Sequence, residues 1–493
     1  MKLLPELARQ NPKQKSANMS QDANATQLVV VGGGPGGYAA AFLAADLGMQ
    51  VALVDPEVNP GGVCLYRGCI PSKALLHVAK LIEEAHLAAN WGVKFSEPKV
   101  DLDKLRGWKD GVVKKLTGGL GQLSKQRSVR YIQGMASFVN SNTLSIRANP
   151  GGEEKLSFRH AILATGSRPA MIPGVPAGSA RVLDSTSALD LASVPKTLLV
   201  VGGGYIGLEL GTVYAALGST VSVVEMTDGL IPGVDRDLVS VLAKRLEKIF
   251  HSIMLKTKVV EMKETDKGLR VKFEADGAAP PEQTYEKVLI AVGRKPNSAV
   301  PGLTNTKVVV NSRGFVQVNP QRQTTDPSIY AIGDVAGEPM LAHKASHEGR
   351  TAVEAVAGHN VAFEPRAIPA VIFTDPEIAW AGLTETEARA QNRPVQVAKF
   401  PWGASGRATT LDRTDGLTKL VIDPETEQVL GMGIVGAGAG ELIAEGVLAI
   451  EMAALASDIE LTIHPHPTLS ETVMQAAEVF SGTATDFYRP RKK

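Results

Sequence analysis

The 493-residue sequence contains two cysteines, Cys64 and Cys69, and no others. A disulfide framework in a secreted protein of this size needs more than one bridge, which argues against structural stapling. A lone C-x4-C pair points instead to redox chemistry. Excess charge is missing too: Lys plus Arg number 52 against 51 Asp plus Glu, a net charge of +1. That balance gives no electrostatic case for nucleic acid or an anionic membrane as the main partner. The longest uncharged stretch, from Gln27 past Leu43, is broken by Gly32-Gly33-Gly34-Pro35-Gly36-Gly37. Such a run reads as strand, turn and helix rather than a membrane span. Residues 1–25 lack the apolar core of a secretory signal; with Lys2, Arg9, Lys13 and Lys15 among Asn, Gln and Ser, they read as a disordered extension. A cytoplasmic location is expected, or the mitochondrial matrix if this extension is a transit peptide. No metal site is expected.

What is present is ordinary globular composition, with 44% hydrophobic and 21% charged residues, and a length that implies several domains. One pattern occurs twice. Gln27 to Pro56 and Thr197 to Met226 each run through an apolar strand, a glycine turn, an Ala/Leu-rich helix, a Leu-Gly break and a second strand ending in an acid. Asp55 follows Gly32 at the same offset as Glu225 follows Gly202, close to the ~20 residues of a dinucleotide-binding unit. A single G-x-G-x-x-G is weak evidence; two complete copies are strong. Gly32 and Gly202 permit the tight turn, Gly34 and Gly204 let backbone approach a pyrophosphate, and Gly37 and Gly207 let helix and strand pack closely. Further strand ends fall at Thr165-Gly166, at Gly293 and at the AIGD run containing Asp334, which leads to a helix entered at Ala342. After about Glu364 short strands alternate with helices at Glu385 to Gln391, Glu441 to Ala456 and Ser470 to Phe480, an α+β domain.

The cysteines lie in GGVCLYRGCIPSKALLHVAKLIEEA, where Pro71 and the apolar spacing predict a helix starting near Pro71. Cys69 then precedes a helix N-terminus, with Arg67 and Lys73 as nearby cations, and a depressed thiol pKa is expected. Exchange between thiols needs a proton acceptor. His466 suits neutral pH, and Glu471 on the following helix can orient the ring. His464 reads as a structural neighbour. Glu225 can accept hydrogen bonds from ribose hydroxyls and would repel a 2′-phosphate; Met226-Thr227-Asp228 follow with no arginine, which favours NAD.

Gly61-Gly62-x-Cys64-x4-Cys69-Ile70-Pro71-Ser72-Lys73 resembles the active-site signature of the dihydrolipoamide dehydrogenase and glutathione reductase family, and the likeness runs from about Gln27 to Tyr488. The resemblance implies an α/β fold with two Rossmann-like domains and a C-terminal α+β dimerisation domain. The expected order is an FAD-binding domain over 26–169, an NAD-binding domain over 170–296, a return segment over 297–363 and the dimerisation domain over 364–493. It implies Cys64 as the thiol that exchanges with substrate and Cys69 as the thiol beside the flavin. Lys73 would pair with Glu209 near the flavin, and Asp334 would bind the FAD chain, with Gly62, Thr165, Gly166 and Ala342 also on the FAD side and Gly293 on the NAD side. His466 and Glu471 correspond to the family's dyad, which serves the cysteines of the other subunit of a homodimer. NAD specificity disfavours glutathione reductase, and the cysteine count disfavours relatives that need extra C-terminal thiols. Oxidation of protein-bound dihydrolipoamide is therefore expected, with lipoyl domains and the acyltransferase core of a 2-oxoacid dehydrogenase complex or a glycine cleavage protein as partners. A related FAD-dependent disulfide or quinone reductase of the diaphorase type is the alternative. One departure stands out: Tyr66-Arg67 replaces the more usual Asn-Val, adding a cation expected to act on the thiols.

Overall fold

A computed structural model of the chain describes residues 24–176, 178–277 and 279–488. The expectation for residues 1–25 lies outside the described residues apart from Asn24 and Ala25, where the first strand begins. The chain forms two compact units, each assembled from three segments: Met1–Ile70, Asp110–Arg168 and Arg294–Glu364 in the first, Pro71–Lys109, Pro169–Gly293 and Pro365–Lys493 in the second.

In the first unit, β1 (Ala25–Val31), α1 (Pro35–Asp46) and β2 (Val51–Asp55) form the first repeat. They are followed by a short helix α2 (Gly62–Arg67) and by α3 (Cys69–Leu87), of which only Cys69 and Ile70 belong to this unit. β1 pairs in parallel with β2 and with β5 (Glu153–Leu163), and β2 pairs in parallel with β3 (Arg130–Asn140). The far ends of β3 and β5 continue as an antiparallel ladder with β4 (Thr143–Ala148), and strand Ile329–Ala331 adds in parallel to β5. Successive side chains of a strand point to opposite faces. Val29, Val31, Ala52 and Val54 accordingly join one buried cluster, while Leu28, Val30, Val51 and Leu53 join another with Ala40, Ala41 and Ala44 of α1. A sheet covered on both faces explains why its central strands read as continuous apolar runs.

The second unit repeats the motif as β6 (Thr197–Val201), α4 (Tyr205–Ala216) and β7 (Thr220–Val224) in a five-stranded parallel sheet. A five-stranded antiparallel sheet built from residues 370–436 carries helix Ala439–Glu451 and α5 (Glu471–Ser481). Pro71–Lys109 groups with this second unit: Leu75, Leu76 and Ala79 of α3 share a core with Leu208, Val213 and Tyr214 of α4. The boundary read from sequence had kept that stretch within 26–169. No described helix is long and apolar enough to cross a membrane.

Candidate active site

The two glycine turns are built alike, and each glycine has its own reason. Gly32 and Gly202 both adopt φ +108°, and a Cβ there would lie 2.3 Å from the Ala164 carbonyl oxygen and 2.5 Å from that of Ala291. At Gly37 and Gly207 a Cβ would meet the carbonyl oxygens of Gly32 and Gly202 at 1.9 Å and 2.3 Å. The middle glycines differ. A Cβ on Gly204 would meet nothing within 4 Å, and one on Gly34 only the Gly62 Cα at 4.0 Å. Open space beside backbone N–H groups at the starts of α1 and α4 suits a pyrophosphate. The residues present therefore fit a dinucleotide at both turns.

The acids are also placed alike. Asp55 Oδ2 accepts from the Gly33 N–H at 2.5 Å and Oδ1 from the Glu57 N–H at 2.9 Å. Glu225 Oε2 accepts from the Gly203 N–H at 2.7 Å, and Oε1 from the Thr227 N–H and hydroxyl at 2.8 and 2.9 Å. Burial pushes the Asp55 carboxyl up, against the pull of those two backbone donors.

The cysteine segment is fastened to the first turn. The Gly61 N–H donates to the Gly33 carbonyl at 2.7 Å. Gly62 adopts φ +57°, and a Cβ there would sit 2.5 Å from the Gly34 Cα. Cys64 lies within α2, half-buried, and Cys69 is the exposed first residue of α3, with no disulfide between them. The helix thus starts two residues before the Pro71 expected from the sequence. Tyr38 on α1 is pushed up by burial and then by the negative fields of Cys64 and Cys69, which places α1 within electrostatic reach of both sulfurs.

Neither of the expected cations is free to act on the thiols alone. Arg67 ion-pairs with Glu57. Lys73 Nζ lies 2.8 Å from Glu209 Oε2 and 4.5 Å from the centre of the Phe373 ring. Glu209, 3% exposed, also accepts from the Ser72 hydroxyl at 3.2 Å and the Phe373 N–H at 3.0 Å. The Lys73–Glu209 pairing expected from the resemblance is therefore present in the second unit.

Also in the second unit, His466 Nδ1 lies 2.9 Å from Glu471 Oε1, while the Thr468 N–H holds Oε2 at 2.8 Å. The imidazole is 78% exposed, so its Nε2 edge is open to a reactant. His464 is the opposite case: only 4% exposed, it bridges Glu445 at 2.7 Å and the Thr462 carbonyl at 2.8 Å.

Asp334 stands in the turn Gly333–Val335 and accepts from the Ser167 hydroxyl, which in turn accepts from Arg294 Nε at 2.7 Å. Thr165 donates its hydroxyl to the Asn297 carbonyl at 2.8 Å, while Gly166 and Gly293 adopt positive φ. Ala342 opens the helix Ala342–Val356. Sequence reasoning overlooked what holds this turn. Glu348, fully buried, accepts from the Gly333 N–H at 2.5 Å and pairs with Lys344 at 2.8 Å and Arg322 at 3.0 Å. The available signal was an acid four residues after a lysine, on the helix side that also carries Ala345, Gly349 and Ala352.

The described residues also contain three clustered carboxylates, Asp235, Asp237 and Glu385. Lys419 Nζ sits among them at 2.6, 2.9 and 2.9 Å.

Comparison with known proteins decides the family. The model of the pyridine nucleotide-disulphide oxidoreductases matches residues 26–349, and that of their dimerisation domain matches residues 368–477. The chain belongs to the pyridine nucleotide-disulphide oxidoreductase family. Among its relatives, a dihydrolipoyl dehydrogenase of Haemophilus influenzae is 50% identical over 95% of this chain and 98% of that protein. One from Vibrio cholerae is 48% identical over 96% and 99%. Among solved structures, LpdA from Mycobacterium tuberculosis matches with a TM-score of 0.86 at 26% identity, covering 92% of this chain and 99% of that one. The HOCl-induced flavoprotein disulfide reductase RclA from Escherichia coli matches at 0.80 and 27%, over 91% and 98%. The family places the protein among the NAD-linked flavoprotein oxidoreductases, with FAD and NAD as its cofactors, and the dimerisation domain makes it a homodimer.

Proposed function

We propose that this chain oxidises protein-bound dihydrolipoamide to lipoamide and reduces NAD to NADH and a proton. The observation that carries the reading is the pairing of one C-x4-C dithiol, tied through Gly61 to a dinucleotide turn, with an oriented His466–Glu471 couple, in a chain 48–50% identical to dihydrolipoyl dehydrogenases. Gly32, Gly34, Gly37, Asp55, Gly62, Thr165, Gly166, Asp334 and Ala342 would hold FAD. Gly202, Gly204, Gly207, Glu225 and Gly293 would hold NAD. We assign FAD binding to 26–169 with the return segment 297–363, NAD binding to 170–296 and dimerisation to 364–493.

In the oxidised enzyme Cys64 and Cys69 form a disulfide. A substrate thiolate attacks Cys64 Sγ, the Cys64–Cys69 bond breaks, and Cys69 leaves as thiolate. The second substrate thiol attacks its own mixed-disulfide sulfur, releasing lipoamide and the Cys64 thiol. His466 of the partner subunit takes the substrate proton, and Glu471 stabilises the resulting imidazolium. Bound FAD supplies the two-electron path from the dithiol to NAD. Lys73, held by Glu209, would stand near the bound flavin. The partners are lipoyl domains on the acyltransferase core of a 2-oxoacid dehydrogenase complex or a glycine cleavage protein, and the location is cytoplasmic.

Anaerobic titration with NADH, NADPH and dihydrolipoamide tests the reading through the flavin spectrum. A long-wavelength thiolate–flavin band with NADH and with dihydrolipoamide, and an inert NADPH, is expected. A response to NADPH alone, or dihydrolipoamide turnover surviving Cys64→Ser, would overturn it.

A further inference from the structure

Tyr66 and Arg67, between the two cysteines, take no part in the chemistry above, yet both are engaged. The Tyr66 hydroxyl donates to the Asn59 carbonyl at 3.0 Å and accepts from the Asn59 N–H at 3.2 Å. Arg67 binds the Glu57 carboxylate, and the Tyr131 hydroxyl donates to the Glu57 carbonyl at 2.8 Å. These contacts fasten residues 57–59, the loop continuing from Asp55, to α2 and to β3. Arg67 also follows Cys64 by three positions on that helix, a spacing that brings Cβ atoms to about 5–6 Å. The Arg67 guanidinium therefore holds a carboxylate while its residue stands one helical turn from Cys64.

We propose that Glu57 and Arg67 form a charge-compensated brace that sets the thiolate character of Cys64, with Glu57 screening the sulfur from a cation that would otherwise hold it ionised. Arg67 is then a positioning residue for the exchanging thiol. The inference rests on Cys64 and Cys69 being the redox pair. A cation a few ångströms away favours a thiolate, and a carboxylate bound to that cation cancels much of the field. The other charged and titratable groups around the segment are Tyr38 on α1, Asp55 at the end of β2, Tyr66 on α2 and Tyr131 on β3. Lys73, four residues beyond Cys69, has its ammonium bound to Glu209. The compensation of Arg67 depends on a loop that also carries the Asp55 contacts to the first glycine turn, so the thiol's ionisation is coupled to how that loop is held.

The test is the pH dependence of iodoacetamide alkylation of Cys64 in the reduced holoenzyme, followed by peptide mass mapping, which two cysteines make unambiguous. Flavin content and circular dichroism check each variant. Glu57→Gln should lower the alkylation midpoint and raise the thiolate fraction below it about three- to tenfold, where tenfold is one pKa unit. Arg67→Gln should leave the midpoint unchanged or raise it, the double variant should match Arg67→Gln within about twofold, and Arg67→Lys should keep the wild-type profile. Should Glu57→Gln lose flavin, Glu57→Asp gives a smaller shift in the same direction. An unchanged profile in the Glu57 variants, or Glu57 and Arg67 variants shifting alike, overturns the proposal and leaves only a mechanical brace. Failure of the redox reading itself would show separately, as dihydrolipoamide turnover that survives Cys64→Ser.

Discussion

Replacing Lys419 by methionine tests how the C-terminal sheet is fixed to the helix that follows the second glycine repeat. The ammonium is 1% exposed and bonds Asp235, Asp237 and Glu385 at 2.6, 2.9 and 2.9 Å. Asp235 precedes helix Arg236–Ile249 and also accepts the Glu385 and Thr386 N–H groups at 3.0 Å. Burial alone would raise the Asp235 pKa, but the Lys419 hydrogen bond and charge, with the Thr386 hydroxyl and the Glu385 N–H, outweigh it and hold the group at about 2. Methionine keeps the side-chain length and removes the charge, leaving buried carboxylate behind. Breaking a buried pair this way costs about 3–5 kcal/mol. Lys399 remains on Asp237 at 2.7 Å and on Glu385 at 2.8 Å, so the lower end, about 3 kcal/mol, applies. The pH dependence has a definite sign. A carboxyl with a depressed folded pKa stabilises fully above its unfolded value near 4 and loses that contribution as pH falls toward about 2. In Lys419→Met the cation is gone and only the Thr386 and Glu385 donors remain, so Asp235 takes up a proton at higher pH and the deficit against wild type shrinks on acidification. Thermal unfolding of the holoenzyme, followed by circular dichroism at pH 7, 5 and 4, should show a fall on the order of 3–5 °C at pH 7 and a smaller one at pH 4. A Tm within about 2 °C of wild type at pH 7, or a deficit that does not change with pH, would refute the reasoning.

Three other substitutions probe the cofactor turns and the dyad. Gly62→Ala places a Cβ 2.5 Å from the Gly34 Cα at a positive φ, so flavin content, read as the 450 to 280 nm absorbance ratio, should fall severalfold. Gly204→Val fills space that is open within 4 Å; the KM for NAD should rise at least about tenfold with an unaltered flavin spectrum, since the lost approach is to the pyrophosphate. Glu471→Gln keeps the geometry but removes the charge facing His466 Nδ1 at 2.9 Å. Its kcat should drop by roughly 10²-fold, because the imidazolium formed in the reaction loses its stabilising carboxylate.

The two βαβ units were legible because their requirements are local. A strand covered on both faces must be apolar throughout, and the turn leaves no room for a Cβ at its first and third glycines. Helix α2 was not legible: six residues flanked by Gly61 and Gly68 are too short for a 3.6-residue period to register. The helix expected over Glu441 to Ala456 stops at Glu451, with Ala453 at φ +57°. Met452-Ala453-Ala454 contains no Gly, Pro or Asn, so nothing in the sequence announces that break. The grouping of 71–109 with the second unit depends on Leu75, Leu76 and Ala79 meeting α4 in space, which no local pattern encodes. The same holds for Arg67. A cation between two cysteines suggests thiolate stabilisation until Glu57, ten residues back in a loop, is seen to hold it.

The acids at the strand ends show why a fingerprint residue has two jobs. An ionised carboxylate offers about four acceptor positions. Asp55 commits two of them to the Gly33 and Glu57 N–H groups, and Glu225 commits three, to the Gly203 N–H and to the N–H and hydroxyl of Thr227. Each acid therefore first pins the middle of the glycine turn to the end of the neighbouring strand, at a fixed distance from the helix N-terminus. Only the remaining capacity, about two positions on Asp55 and about one on Glu225, is left for a ribose. With a pyrophosphate received at the turn as proposed above, the carboxylate that holds the turn would make adenosine recognition and phosphate placement mechanically one event in each repeat. The identical offset of acid from first glycine follows from that shared linkage.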